Sequence, residues 1–291
     1  SHSYNWQLAF YLMGSIPILW TIPWLVLVQD DPSKSWLTSE LEREMLREET
    51  MSSKCRPRLR NIPILRILSS PCVFAVIVAN IGVSWANSHA SLLLPQLFIS
   101  LGFPILITSV LSTIPFLGAS AIGLVSPYIF RQIKRYKITT TVARKICSSI
   151  CLVGFSILTF PTAFIVGQTD PILIIVLSTL SCSFLGFNLV GAWGNPQDIS
   201  PTYVGTIMGI MGLSNEITKS IVLQTKSLIT SHVEEEEEVW PILFLLASGV
   251  TLVTSGLYLM LGTAEIQDWD SLSDSQVDLF NEHKKKQTDR K

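Results

Sequence analysis

From Pro71 to Phe130 the chain carries no Asp, Glu, Lys or Arg, and the one side chain able to charge near neutral pH is His89. Two apolar runs, 72–100 and 105–130, are joined by the turn Leu101-Gly102-Phe103-Pro104. Each exceeds the ~20 residues an α-helix needs to cross the hydrocarbon core of a bilayer. In lipid the backbone N–H and C=O groups are satisfied within the segment, so each run is predicted to be a helix and the pair a membrane hairpin. The pattern recurs on both sides, giving seven predicted spans: 6–28, 72–100, 105–130, 146–166, 172–193, 203–229 and 239–261. The expected fold class is an all-α membrane protein.

Composition agrees with that reading. Apolar residues make up 48% of the 291 and charged residues 15%, well below the roughly 25% of a soluble domain. The net charge of −1 says little about partners, because the charges are segregated along the chain. Lys34, Arg43, Arg47, Lys54, Arg56, Arg58, Arg60 and Arg66 separate the first two spans. Arg131, Lys134, Arg135, Lys137, Arg144 and Lys145 follow the third, and Lys284, Lys285, Lys286, Arg290 and Lys291 follow the seventh. The alternate connections are uncharged (101–104), carry only Asp170 (167–171), or are dominated by the glutamate run 234–238. A bias of Lys and Arg towards the cytoplasm then places the three basic segments and the C-terminus inside, and the N-terminus outside or in a lumen.

Smaller features change little. Residues 39–47 space Leu41 and Met45 for a short surface helix, and the run 234–238 reads as a solvated loop without the spaced ligands of a calcium site. The tail from Glu265 is polar and expected to lack fixed structure beyond Trp269. Cys55, Cys72, Cys147, Cys151 and Cys182 read as small core residues, neither a metal site nor a disulfide framework. The chain opens at Ser1, and its first apolar run lacks the basic region and cleavage site of a signal peptide. It reads as a fragment of something longer.

Specific motifs go further. Trp6-Gln7-Leu8-Ala9-Phe10-Tyr11-Leu12-Met13-Gly14 with Trp20, Trp24 and Asp31-Pro32 resembles the sixth helix and exit of the anion–cation symporter family, within the major facilitator superfamily. The likeness continues through Val78-Ala79-Asn80, Ser84-Trp85 and Pro95, then Leu111-Ser112-Thr113-Ile114-Pro115-Phe116-Leu117-Gly118 and Thr140-Thr141-Val142-Ala143-Arg144-Lys145. Gly186-Phe187-Asn188, Asn195 and Asp198-Ile199-Ser200-Pro201-Thr202-Tyr203 resemble the connection from the tenth to the eleventh helix. Trp240 and Ala264-Glu265-Ile266-Gln267-Asp268-Trp269 resemble the last helix and its exit. The chain departs from the family at Pro127, where an Asp is usual, and at Pro196, where many members have His after Asn. It departs again at Val83, where the vesicular glutamate members carry Arg, and at Glu216 and Lys219, in a helix that is usually uncharged.

The spans carry their own candidate chemistry. Asn80, Ser84, Asn87, Ser88 and Ser91 share a helix face at offsets of 4, 7, 8 and 11 residues. Such a stripe either lines a water-filled path or mediates helix packing. His89, about 180° from Asn80 on the same wheel, reads as a helix contact. Ser181, Asn188 and Asn195 share a face by the same spacing. Gly205, Gly209 and Gly212 form a small-residue stripe that continues onto Glu216 and Lys219 and is predicted to look into the bundle. A charge at mid-bilayer costs on the order of 3 kcal/mol, which pairing of Glu216 with Lys219 at i, i+3 offsets in part. That pair reads either as a coupling or anion-binding site or as a self-neutralised pair turned to water.

Ser200 and Pro201 read as N-cap and first position of the sixth span. Asp198, just outside it, shares the expected cytoplasmic face with the basic loop 131–145. It reads either as half of a loop-to-loop salt bridge that steadies an inward gate or as a solvated first-turn acid. Asn195, Asp198, Pro201 and Arg144 make up this gate motif. Pro115, Gly118, Gly186, Gly191 and Gly194 read as points where helices bend.

The resemblance implies a partial transporter. Residues 1–28 would be a sixth transmembrane helix, 29–70 the central cytoplasmic loop, 71–263 the C-terminal six-helix half and 264–291 a cytoplasmic polar tail. The implied activity is secondary transport of an organic or inorganic anion coupled to H⁺ or Na⁺ by alternating access. Expected partners are the bilayer, the anionic solute, a coupling cation and an N-terminal half. No cofactor, metal or nucleic acid is implied. His2, His89, His232 and His283 are scattered without a nucleophile or a paired acid, so an enzyme is not expected. The competing reading, favoured by Pro127 and Val83, is a non-transporting paralogue that serves as a membrane scaffold.

Overall fold

A chain that keeps its backbone hydrogen bonds within each segment gives long helices, and the computed structural model is built of them. It describes residues 6–28, 39, 63–166, 171–233 and 236–270, and no strand occurs among them. Two units are described separately: Ser1–Arg58 with Ser275–Lys291, and Leu59–Asp274. In the first, α1 (Trp6–Leu27) is an apolar helix with Pro17 and Pro23 inside it. The surface helix expected over 39–47, Cys55 and the tail from 271 lie outside the described residues.

The second unit runs α2 (Ile64–Ser69), α3 (Pro71–Ser100), α4 (Ile105–Arg135), α5 (Thr140–Ile165), α6 (Pro171–Ser183), α7 (Asn195–Ile199), α8 (Val204–His232) and α9 (Glu236–Leu261). Within α3 the segment His89–Leu93 widens to a π-turn, and α6 tightens into a 3₁₀ segment, Phe184–Leu189. Helix ends follow their side chains. The Thr139 hydroxyl accepts from Val142 N at the start of α5, which satisfies a backbone donor left over by the first turn. Lys137, just past the end of α4, takes a left-handed φ of 59°, the position that commonly ends a helix.

Seven spans were predicted, and six helices among the described residues are long and apolar enough to cross a membrane: α1, α3, α4, α5, α6 with its 3₁₀ extension, and α9. The exception is α8. It has the length, at 29 residues, but Asn215, Glu216, Lys219, Gln224 and Lys226 dilute its apolar character. The acidic run is also not simply a loop, because residues 236–238 form the first turn of α9. Cys72, Cys147, Cys151 and Cys182 are buried free thiols, as expected for small core residues.

Helices α3, α5 and α9 make the centre of the bundle. The Ser156 hydroxyl of α5 donates to Ser248 O of α9 at 3.0 Å. A Cβ on Gly82 of α3 would strike Thr254 of α9 and crowd Leu152 of α5. On one flank α4 packs against α6 and its 3₁₀ extension; on another, α8 lies along α3. The glycines expected to permit bending serve close approach instead. A Cβ on Gly186 would meet the Ala119 carbonyl, Gly123 N at 2.6 Å and Ile122 Cβ at 2.9 Å, and one on Gly191 would lie 3.0 Å from the Ser148 backbone.

Backbone cannot yield as a flexible side chain can. Gly186→Val in the full-length protein is therefore expected to lower stability by about 2 kcal/mol through overpacking. Gly256→Ala, where an added methyl meets nothing within 4 Å, should leave stability unchanged. Thermal unfolding of both purified variants in detergent checks the contrast.

Candidate functional site

At the basic end of the bundle the polar groups gather in neighbouring sets of bonds. Arg144, at the start of α5, donates from Nε to Asp198 Oδ2 at 2.7 Å and from Nη1 to Val190 O at 2.8 Å. Its guanidinium lies over the Phe130 ring, 4.7 Å from the centroid. Planar geometry lets one Arg hold a carboxylate, a carbonyl and an aromatic face together. Gly194 leaves the room, since a Cβ there would strike the Arg144 guanidinium. The structure thus joins Arg144 and Asp198, the loop-to-loop pair raised by the sequence. Both are partly buried, with 13% and 25% of their side chains exposed.

Asn195 is fully buried beside them but bonds elsewhere. Its amide donates to Tyr258 Oη at 2.9 Å and to Thr263 O at 3.1 Å. The segment after α9 then straps across the bundle end. Ala264 N donates to Thr141 Oγ1 and Gln267 N to Ile199 O, both at 3.0 Å. Ser200 Oγ donates to Asp270 Oδ1 at 2.8 Å. Residues 264–270, read from sequence as the start of a polar tail, are part of this end of the bundle. Ser200 and Pro201 do not start α8. Residues 201–203 form a turn in which Ser200 Oγ accepts from Tyr203 N, and the helix begins at Val204. Gln267 belongs to the motif 264–269, whereas Tyr258 and Asp270 carry no sequence signal of their own beyond lying near it.

The second constellation is the seam between α3 and α8. Asn80 is buried, and its amide nitrogen faces three acceptors: Met211 O at 3.0 Å, Ser214 Oγ at 3.1 Å and Asn215 Oδ1 at 2.7 Å. With two hydrogens the amide shares them among the three. Ser84 Oγ donates to Asn215 O at 3.2 Å, and Ser88 Oγ turns back to Ser84 O. The stripe therefore divides. Asn80, Ser84 and Ser88 are buried in helix packing, whereas Asn87 and Ser91 are exposed. His89 is buried on the far side, edge-on to Phe244 and Phe155. Asn188 lies in the 3₁₀ segment, so the α-helical spacing that put it on a face with Ser181 and Asn195 does not hold.

The small-residue stripe points the other way from the prediction. A Cβ on Gly205, Gly209 or Gly212 would meet nothing within 4 Å, so among the described residues no neighbouring helix packs closely against them. Glu216 and Lys219 continue that open face. Lys219 Nζ donates to Glu216 Oε1 at 2.6 Å, with 49% of the Lys and 70% of the Glu side chain exposed. The reason is that α8 spends its opposite face, Ile207, Met211, Thr218 and Val222, on burial.

A family model described as Major Facilitator Superfamily matches residues 1–223. Human Sialin is 27% identical over 272 residues, covering 91% of this chain and 53% of that protein. Human Sodium-dependent phosphate transport protein 4 is 28% identical over 277 residues, 92% of this chain and 63% of that protein. The Probable vesicular glutamate transporter eat-4 of Caenorhabditis elegans is 27% identical over 270 residues, 91% of this chain and 46% of that protein. The chain spans about half the length of the relatives it matches.

The α3–α8 seam is measurable. Asn80→Ala leaves Asn215 Oδ1 without its donor, whereas Met211 O keeps the Ser214 hydroxyl, so the full-length protein should lose about 1–2 kcal/mol. A double-mutant cycle with Asn215→Ala, followed by thermal unfolding, should return a coupling energy of about 0.5–1.5 kcal/mol.

Proposed function

The chain belongs to the Major Facilitator Superfamily, among relatives of its anion–cation symporter family, and from that premise we propose that it walls one side of an anion-transport pathway. It is a multi-pass integral membrane protein, with six helices long and apolar enough to cross a bilayer. The open face of α8 carries the proposal. Ser84, near the middle of the span Pro71–Ser100, bonds to Asn215, so Glu216 and Lys219 sit at about mid-depth. Charges there cost several kcal/mol if they face hydrocarbon, and such residues turn to a water-filled cavity or to protein. The face made of Gly205, Gly209, Gly212, Glu216 and Lys219 is thus the pathway wall, with Asn87 beside it as a polar candidate. An N-terminal half, of the length the relatives have beyond this chain, closes it from the other side.

In this reading the basic end faces the cytoplasm, and Arg144–Asp198 steadies the inner gate. Transport proceeds by alternating access, coupled to H⁺ or Na⁺, and the cargo is a carboxylate or phosphate anion. Val83, in place of an Arg, argues against glutamate as the preferred cargo. Asn80, Ser84 and Ser88 hold the wall in place from behind. A scaffold would use the same open face for docking a partner and would move no anion.

Reconstitution of the full-length protein in liposomes tests this. Saturable uptake of at least one among inorganic phosphate, glutamate and lactate is expected; failure with all three sinks the transport reading. Arg144→Gln and Asp198→Asn each remove a charge-assisted hydrogen bond, a loss that shifts a two-state balance about tenfold. Both variants should take up anion about tenfold more slowly and expose Cys147, one turn from Arg144, to maleimide from the cytoplasmic side.

A further inference from the structure

We propose that Glu216 is a tethered counter-anion that a proton releases, freeing Lys219 to bind a monoanion, so that one proton and one anion move together. This rests on the transport reading above and assigns its coupling ion and cargo charge.

The geometry favours a proton over a metal cation. Lys219 Nζ sits 2.6 Å from Glu216 Oε1, so Na⁺ at that carboxylate would lie against an ammonium. Nearby oxygens are already engaged. Asn215 Oδ1 accepts from Asn80, and the Ser220 hydroxyl donates back to Glu216 O. A hard cation needs several oxygens at once, whereas a proton needs one carboxylate oxygen. An anion and the Glu216 carboxylate compete for the same ammonium, and protonation withdraws the carboxylate from that competition.

Among the described residues no other charge is bonded to the pair. On α3 the titratable groups are Cys72 and His89, both buried in the core. On α7, Asp198 is held by Arg144. On α9, Tyr258 is buried against Asn195, and residues 236–238 lie at the far end of the helix. On α8 itself, Lys226 is bonded to Gln96 and lies over the Trp240 ring, and His232 is bonded at the C-terminal end.

Charge balance makes the coupling strict. Empty, the site holds Glu⁻ and Lys⁺ and is neutral. The proton comes from water on the loading side and adds to a Glu216 oxygen; the anion then pairs with Lys219, and the loaded site is neutral again. With the proton alone it carries +1, and with the anion alone −1. A net charge at mid-bilayer is disfavoured about a hundredfold on insertion scales. Only the empty and fully loaded forms cross readily, so a monoanion is carried without net charge movement.

The test uses full-length protein in liposomes with lactate and glutamate as monoanion probes. Wild-type uptake should rise at least tenfold with an inward proton gradient and stay indifferent to an imposed membrane potential. Glu216→Gln should lose the gradient response and become potential-driven. Lys219→Gln should raise the apparent KM at least tenfold, Lys219→Arg should restore it, and thermal unfolding should show both variants folded. Uptake that responds identically to gradient and potential in wild type and Glu216→Gln overturns the switch while leaving transport standing. An unchanged KM in folded Lys219→Gln does the same. Absence of wild-type uptake of both lactate and glutamate overturns the switch, and absence of phosphate uptake as well overturns both readings.

Discussion

Lipid offers no hydrogen bonds, and the arrangement of polar atoms throughout this chain follows from that scarcity. Many hydroxyls on the long helices fold back onto their own carbonyls. Ser112 bonds to Thr108 O, Ser120 to Phe116 O, Thr162 to Leu158 O, Ser183 to Thr179 O and Thr251 to Ala247 O. Satisfied in this way, Ser and Thr sit in an apolar helix at little cost. Amides cannot close on themselves so easily, and Asn80 and Asn195 each reach to another helix. The few polar groups that cross between helices therefore decide which helices stay together.

Much of this was legible in the sequence. Runs without charge fixed where α3, α4, α5 and α9 lie, and family-like motifs placed Arg144, Asn195 and Asp198 near one another. What eluded the sequence has physical causes. Periodicity gives which residues share a face but not which way that face looks, so the stripe from Gly205 to Lys219, predicted to look inward, lies open. The spacing of Ser181, Asn188 and Asn195 assumed an α-helix that tightens to 3₁₀ at Phe184. Ser200 was read as the cap of α8 because Ser-Pro suits a helix start; its hydroxyl instead organises the turn at 201–203 and bonds to Asp270.

The two polar constellations differ in kind. At the basic end, Arg144 and Asp198 hold each other, while Asn195 beside them bonds to Tyr258 and to Thr263 O, so the charges of the ion pair are spent on one another. On α8 the charges satisfy each other but remain accessible. A closed set of bonds suits a part that has to hold its shape, and an accessible pair suits a part that changes partners. The accessible pair rests on the α3–α8 seam, where the buried amide of Asn80 grips α8 just before the charged turn.

The π-turn at His89–Leu93 gives that seam its reach. On an unbroken α-helix Gln96, sixteen residues beyond Asn80, would point about 160° away from it, at about 100° per residue. A wide turn absorbs one residue, which rotates everything after it back by about 100° and leaves Gln96 about 60° from Asn80. From there its side chain meets Lys226. A local unwinding thus acts as a phase correction, keeping two long rods zipped at both ends when their natural pitches would have carried them out of step.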